Sequence, residues 1–195
     1  MRNIVKFLTI NQYSRPGRKL QEAKGIILHW VGIPMQRAAG VWDFFETTCP
    51  QKKHFSSAHY IVDLNGDVCH AVPDSEVAYH CGSSQIDPAS GRIYTDWARE
   101  KFGRFAENPA GNSPNNCTIG IEMCVLDSRG SYSQETMDAA AELTAHLVKQ
   151  NNLTVDDIGH HNKVAGWKDC PRLWVNSPIL FDQFKEKVRG LLGEA

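Results

Sequence analysis

The sequence predicts an α/β fold: a single domain over residues 1–195 in which helices pack on a mixed central β-sheet. Three observations carry that reading. Gly25-Ile26-Ile27-Leu28-His29-Trp30-Val31 is a nearly continuous apolar run with β-branched members, the pattern of a strand covered on both faces. Residues 58–64 and 67–72 alternate on either side of Asn65-Gly66, the strongest short-range hairpin pattern, because both turn positions want φ > 0. Met137, Ala140, Ala141, Thr144, Leu147 and Val148 recur at helical spacing.

In chain order, MRNIVKFLTI reads as a strand. Lys6 interrupts its apolar stretch and no A-x-A-like site follows, so a secretory leader is not expected. A polar lead with Ser14-Arg15-Pro16-Gly17 reaches the strand at 25–31. Val41, Trp42, Phe44 and Phe45 mark a short helix over 36–47, and the hairpin follows. Residues 82–116, rich in Gly, Ser, Pro and Asn, read as a long irregular insertion of the kind that borders sites. A second buried strand is expected over 117–124, closed by Asp127-Ser128-Arg129-Gly130. Ser131 or Ser133 caps the long helix. A short strand ends near His160-His161, a Gly- and Pro-punctuated loop runs through Trp174, and residues 179–192 form an amphipathic helix.

Composition excludes several classes. With 21 Lys+Arg against 22 Asp+Glu, the net charge of −1 argues against a nucleic-acid partner, and 42% hydrophobic residues is an ordinary globular content. No apolar run approaches the roughly 20 residues that span a bilayer. The six cysteines are scattered without a C-x-x-C pair, which disfavours a zinc finger and reads as reduced thiols made in a cytoplasm.

Some residues are not explained by a core. His29 sits in an apolar strand with Ile27 and Val31 on its face, where an unpaired imidazole costs about 1–3 kcal/mol. It is paired, metal-bound or catalytic, and taken alone it also reads as a hydrogen-bonded core histidine. Glu122 shares a strand face with Gly120, opposite Ile119, Ile121 and Met123. A carboxylate there is costly to desolvate unless a cation or a proton-transfer role keeps it, or the strand is an edge with Glu122 facing water. Gly120 leaves room for something bulky to approach the backbone. In Gly159-His160-His161 … Asp169-Cys170-Pro171, two histidines and a thiol could supply ligands from opposite ends of one loop. A His, His, Cys set leaves zinc's fourth position open, the catalytic arrangement.

Ile27-Leu28-His29, Ser57-Ala58-His59-Tyr60, Ala78-Tyr79-His80-Cys81-Gly82, Thr118-Ile119-Gly120-Ile121-Glu122 and Gly166-Trp167-Lys168-Asp169-Cys170-Pro171 occur in that order. Together they resemble the zinc-dependent N-acetylmuramoyl-L-alanine amidases, the type 2 amidase family of phage endolysins, autolysins and peptidoglycan-recognition proteins. The resemblance runs from about residue 20 to 175 and is nearest in flavour to endolysin catalytic domains. It implies that family's fold and one Zn2+ per chain, on His29, Cys170 and a second histidine. Spacing to Val164 selects His161, whereas a Gly-His dipeptide would select His160; we take His161. It also places the strand glutamate on Glu122, the lysine on Lys168, and a substrate contact on His80. No catalytic role is carried onto His59, where some members have tyrosine, or onto Tyr60.

The implied reaction is hydrolysis of the amide between N-acetylmuramic acid and L-alanine in peptidoglycan. Glu122 moves the proton and Lys168 steadies the oxyanion. Rival expectations are a cytosolic amidase that recycles anhydro-muropeptides and a non-catalytic peptidoglycan binder; the latter typically lacks the thiol ligand. A zinc peptidase is disfavoured because H-E-x-x-H is absent. Without a leader or a recognisable wall-binding module, the chain is expected to be made in the cytoplasm and to act on the cell wall after release. No obligatory protein partner is evident.

Overall fold

A computed structural model describes residues 2–107 and 112–193. Its centre is a six-stranded sheet. The strands are β1 (Asn3–Val5), β2 (Gly25–Trp30), β3 (Tyr60–Val62), β4 (Val68–His70), β5 (Thr118–Met123) and β6 (Ile158–His160). Their order across the sheet is β1-β4-β3-β5-β2-β6. The β3–β4 hairpin is the antiparallel pair, and the other neighbours run parallel.

The two apolar runs occupy the centre of this order. β2 and β5 lie side by side, with Ile26 opposite Ile119, Leu28 opposite Ile121 and His29 opposite Glu122. β5 is therefore not an edge strand. One sheet face carries Ile26, Leu28, Ile119, Ile121 and Met123 into a core with α4 (Gln134–Gln150) and α7 (Pro178–Leu192). Full burial of each such Ile or Leu contributes roughly 1.5–3 kcal/mol. The other face is covered by α1 (Ala38–Asp43), which buries Val41, and by α3 (Asp96–Phe102), whose Phe102 packs near Ile27. β2 is thus covered on both faces up to its carboxyl end.

Capping explains the helix limits. Ser133 caps α4, its Oγ accepting from Thr136 N at 3.0 Å. α7 buries Phe181, Phe184 and Val188 on one stripe and ends at Gly193, whose φ of +78° is left-handed.

Four expectations need correction. The helix predicted over 36–47 is α1 followed by a π-helical turn (Phe44–Thr48) and α2 (Cys49–Lys52). The Asn65-Gly66 turn has positive φ at Gly66 but not at Asn65. Gly66 N donates to Asp63 O at 3.0 Å, so the turn runs from Asp63 to Gly66 and the left-handed glycine is the residue that closes it. The 82–116 segment is not wholly irregular: α3 lies inside it, with Thr95 Oγ1 accepting from Ala98 N at 3.2 Å as N-cap, and residues 108–111 of it are outside the described residues. The loop through Trp174 contains α5 (His161–Val164) and α6 (Arg172–Asn176).

All six cysteines are buried and free. Among the described residues no helix is long and apolar enough to cross a membrane.

Candidate metal centre and its groove

The carboxyl ends of β2 and β5, with the turn after β6, floor a groove of about 710 Å³. Parallel sheets place ligand sites at such ends. His29, Glu122, His161, Lys168 and Cys170 all line it.

Packing of His160 against the C-terminal helices decides between the two adjacent histidines. His160 ends β6 and turns away from the groove. Its ring packs edge-on to Phe181 at 4.7 Å, and its Nδ1 accepts from Lys163 N at 3.3 Å as the N-cap of α5. His161 consequently points the other way, into the groove. Asn162 then draws the chain back. Its Nδ2 donates to Gly166 O (2.8 Å) and Lys168 O (2.9 Å), and its N–H donates to Cys170 O (2.8 Å). This staple returns Cys170 to the site.

His29 Nδ1 and His161 Nδ1 lie 3.1 Å apart, and Cys170 Sγ is 3.8 Å from His29 Nδ1. The three donor atoms all fall within 4.8 Å of one another. Tetrahedral N and S ligands of one zinc sit ~3.3–3.6 Å apart, given bonds of about 2.0–2.3 Å. Burial pushes both imidazoles well below their ordinary pKa, His161 to about 3, with neighbouring rings and Lys168 adding to the effect. Two neutral imidazoles facing one point, with a thiol beside them, form a donor set that fits a soft divalent cation.

The far side of His29 is equally determined. Its Nε2 meets His80 Nδ1 at 3.0 Å, and His80 Nε2 meets Thr118 O at 3.3 Å and Thr118 Oγ1 at 3.2 Å. Thr118 Oγ1 in turn donates to Pro114 O at 2.7 Å. If Nδ1 of His29 is to offer a lone pair, Nε2–H must donate to His80 Nδ1, and His80 Nε2–H to Thr118. His80 was expected to touch substrate. Its ring does border the groove, with Nδ1 engaged by His29 and Nε2 by Thr118. Ligand histidines generally need such a partner for the other nitrogen.

Gly120 makes this possible: a Cβ there would lie 2.5 Å from His80 Cγ. Asn115 fixes the His80 loop, its Oδ1 accepting from the backbone N–H of His80 (3.1 Å), Cys81 (2.8 Å) and Gly82 (3.0 Å). Sequence reasoning missed Asn115, Asn162 and Thr118. The one trace of them was polar residues packed beside a buried strand.

Glu122 stands on β5 beside His29, and its Oε2 is buried without a hydrogen-bond partner. Burial pushes its carboxyl up to about 8, with the Lys168 ammonium pulling the other way. Lys168 Nζ lies 4.9 Å from the Trp167 ring centre, and Trp167 Nε1 donates to Ser83 Oγ at 3.1 Å. His59 lies outside the cluster. Its Nδ1 accepts from Gly120 N at 3.0 Å and its Nε2 donates to Glu76 O at 2.9 Å, a structural role.

The solved catalytic domain of XlyA shares this fold. The two align with a TM-score of 0.68 at 20% identity, over 96% of this chain and 99% of that one. Residues 19–173 match the Amidase_2 family, N-acetylmuramoyl-L-alanine amidase, and the chain belongs to that family. A probable N-acetylmuramoyl-L-alanine amidase of Bacillus licheniformis is 36% identical over 190 residues, 97% of this chain and 48% of that protein. The amidase CwlL of the same organism is 36% identical over 195 residues, 99% of this chain and 48% of its own. The chain thus spans about half the length of these curated relatives.

Proposed function

We propose that this chain hydrolyses the amide joining N-acetylmuramic acid to L-alanine in peptidoglycan, with one zinc ion on His29 Nδ1, His161 Nδ1 and Cys170 Sγ. The observation that carries the reading is the juxtaposition of that buried donor set with Glu122, an unpartnered carboxyl on the adjacent strand. When bound, zinc supplies Lewis acidity and brings the pKa of its water to about 7.

The chain's own residues do the rest. Glu122, whose carboxyl burial raises while the Lys168 ammonium favours its ionised form, is placed to accept a proton and return it to the departing amine. Lys168 presents a fixed positive charge to the developing oxyanion, a role worth roughly 3–4 kcal/mol in comparable sites. His80 and Thr118 hold His29 in the tautomer that leaves Nδ1 free. The groove is polar and open enough for a glycan-linked peptide, bordered by Ser56, Ser83, Ser84 and Asn115. As an endolysin or autolysin catalytic unit, the protein would be made in the cytoplasm and meet the wall after release.

The test is zinc content together with clearing of a peptidoglycan suspension, with and without chelator. About one zinc per chain, chelator-sensitive clearing and new L-alanine amino termini without new reducing ends are expected. Glu122→Gln should retain zinc and lose turnover. Zinc without attack on wall, but with cleavage of soluble muropeptides, would move the reading to a recycling amidase. Absence of zinc would overturn it.

A further inference from the structure

We infer that Trp167 is a positioning residue for Lys168, its indole seating the ammonium, and that the segment from Ser83 to Thr95 serves to hold that indole. Lys168 reaches the groove on a flexible stem, and among the described residues no carboxylate forms an ion pair with it. What meets its ammonium is the Trp167 ring, whose centre lies 4.9 Å from Nζ. That is inside the ~6 Å over which a ring face attracts a cation. The choice of partner matters chemically. A carboxylate would neutralise the charge that a developing oxyanion needs, whereas a ring face holds the ammonium and leaves its charge whole. Trp167 is not among the residues lining the groove, so it reaches the reaction through Lys168.

The indole is itself braced. Trp167 Nε1 donates to Ser83 Oγ at 3.1 Å. Ser83 is gripped by one phenol: its N–H donates to Tyr94 Oη at 3.1 Å, and Tyr94 Oη donates to Ser83 O at 3.3 Å. Tyr94 is only 3% exposed and packs in the cluster with Ile27 and Phe102, so the brace is rooted in the core. Thr95 continues it, donating from N to Val164 O at 3.1 Å and from Oγ1 to Lys163 O at 2.5 Å. The loop that carries Lys168 is therefore held on either side of Gly166 by one segment. That gives the irregular stretch after Gly82 a task at the site.

The inference rests on the proposed role of Lys168 at the oxyanion. Turnover of a soluble N-acetylmuramoyl-peptide is measured with the zinc-loaded chain, its Trp167→Leu, Trp167→Phe and Ser83→Ala variants, and each of these in a Lys168→Ala background. Trp167→Leu should lower kcat roughly fivefold, with KM and zinc content unchanged. Trp167→Phe, which keeps a ring face, should recover part of that loss. In the Lys168→Ala background none of the three should lower kcat further. Apart from turnover, the Lys168 Cε proton resonances should lie upfield in the wild-type chain and return to the ordinary lysine position in Trp167→Leu. If Trp167→Leu does not fold, Ser83→Ala carries the same cycle. Equal losses with and without Lys168 would make the indole structural and overturn the inference, as would unshifted Lys168 resonances in the wild type or a loss confined to KM. Full turnover by Lys168→Ala would overturn the role of Lys168 and this inference with it, leaving the amidase reading intact. A wild-type chain that leaves the substrate whole would overturn the amidase reading itself.

Discussion

Replacing Gly120 with alanine tests how the site is supported. The added Cβ would lie 2.5 Å from His80 Cγ, 2.7 Å from Nδ1 and 2.8 Å from Cδ2, closer than real contacts allow. His80 cannot swing aside cheaply, because His29 holds one ring nitrogen and Thr118 the other. Nor can the strand back off: Gly120 N donates to His59 Nδ1 and Gly120 O accepts from His59 N, both at 3.0 Å. Overpacking of this kind costs about 1–3 kcal/mol, and leaving buried imidazole nitrogens unpaired adds about 1–3 kcal/mol. A total near ~3 kcal/mol corresponds to a fall of roughly 6–12 °C in Tm for a domain of this size. Thermal unfolding followed by calorimetry measures it, with zinc affinity alongside, which should weaken as His29 loses its support. Repeating Gly120→Ala in a His80→Ala background isolates the clash, and there the cost should drop below ~1 kcal/mol. A single variant within ~1 kcal/mol of wild type, or an undiminished cost in the His80→Ala background, would refute the argument.

Three further outcomes are expected. His161→Ala should abolish stoichiometric zinc, whereas His160→Ala should keep it and lose stability through its contacts with Phe181 and Trp174; metal analysis of both decides. Asn115→Ala removes one acceptor from three backbone N–H groups and should cost ~2–4 kcal/mol in denaturant unfolding. In chelator, stability should fall on both sides of about pH 6.5. Below it, His29, His59, His80, His160 and His161, whose folded-state pKa values burial depresses, bind more protons in the unfolded chain, so stability is lost as pH falls. Above it, Glu122, raised to about 8, binds its proton in the folded chain, so stability falls with rising pH by up to about 1.4 kcal/mol per unit until that pKa is passed. Glu122→Gln should flatten the alkaline limb alone; an unchanged limb would assign the loss to other groups.

The groups that matter were legible in the sequence to different depths. His29 and Glu122 stood out because each is a polar residue on an apolar strand, and strand alternation alone assigns it a face. α4 and α7 were visible through helical spacing, and β2 and β5 through their unbroken apolar runs. α3 was not, since Thr95 and Asp96 begin it inside a segment whose glycines, serines and prolines dominate the composition. The hairpin was correct and its turn was not, because Asn-Gly fixes a reversal but not which of two turn geometries the flanking strands accept.

What the sequence determined by itself follows from short-range periodicity: the strands, the long helices, and the faces on which His29 and Glu122 lie. What only the tertiary structure decided is which side chains meet. A period of two says that His160 and His161 point opposite ways, but not which one faces the groove. Phe181 and Trp174, brought from the C-terminal helices, settle it by packing against His160. The placing of His80 beneath His29 depends on Gly120, forty residues away, and on Asn115, which gathers the His80 loop. Such partners are set by long-range packing, whose contacts leave no period in the chain.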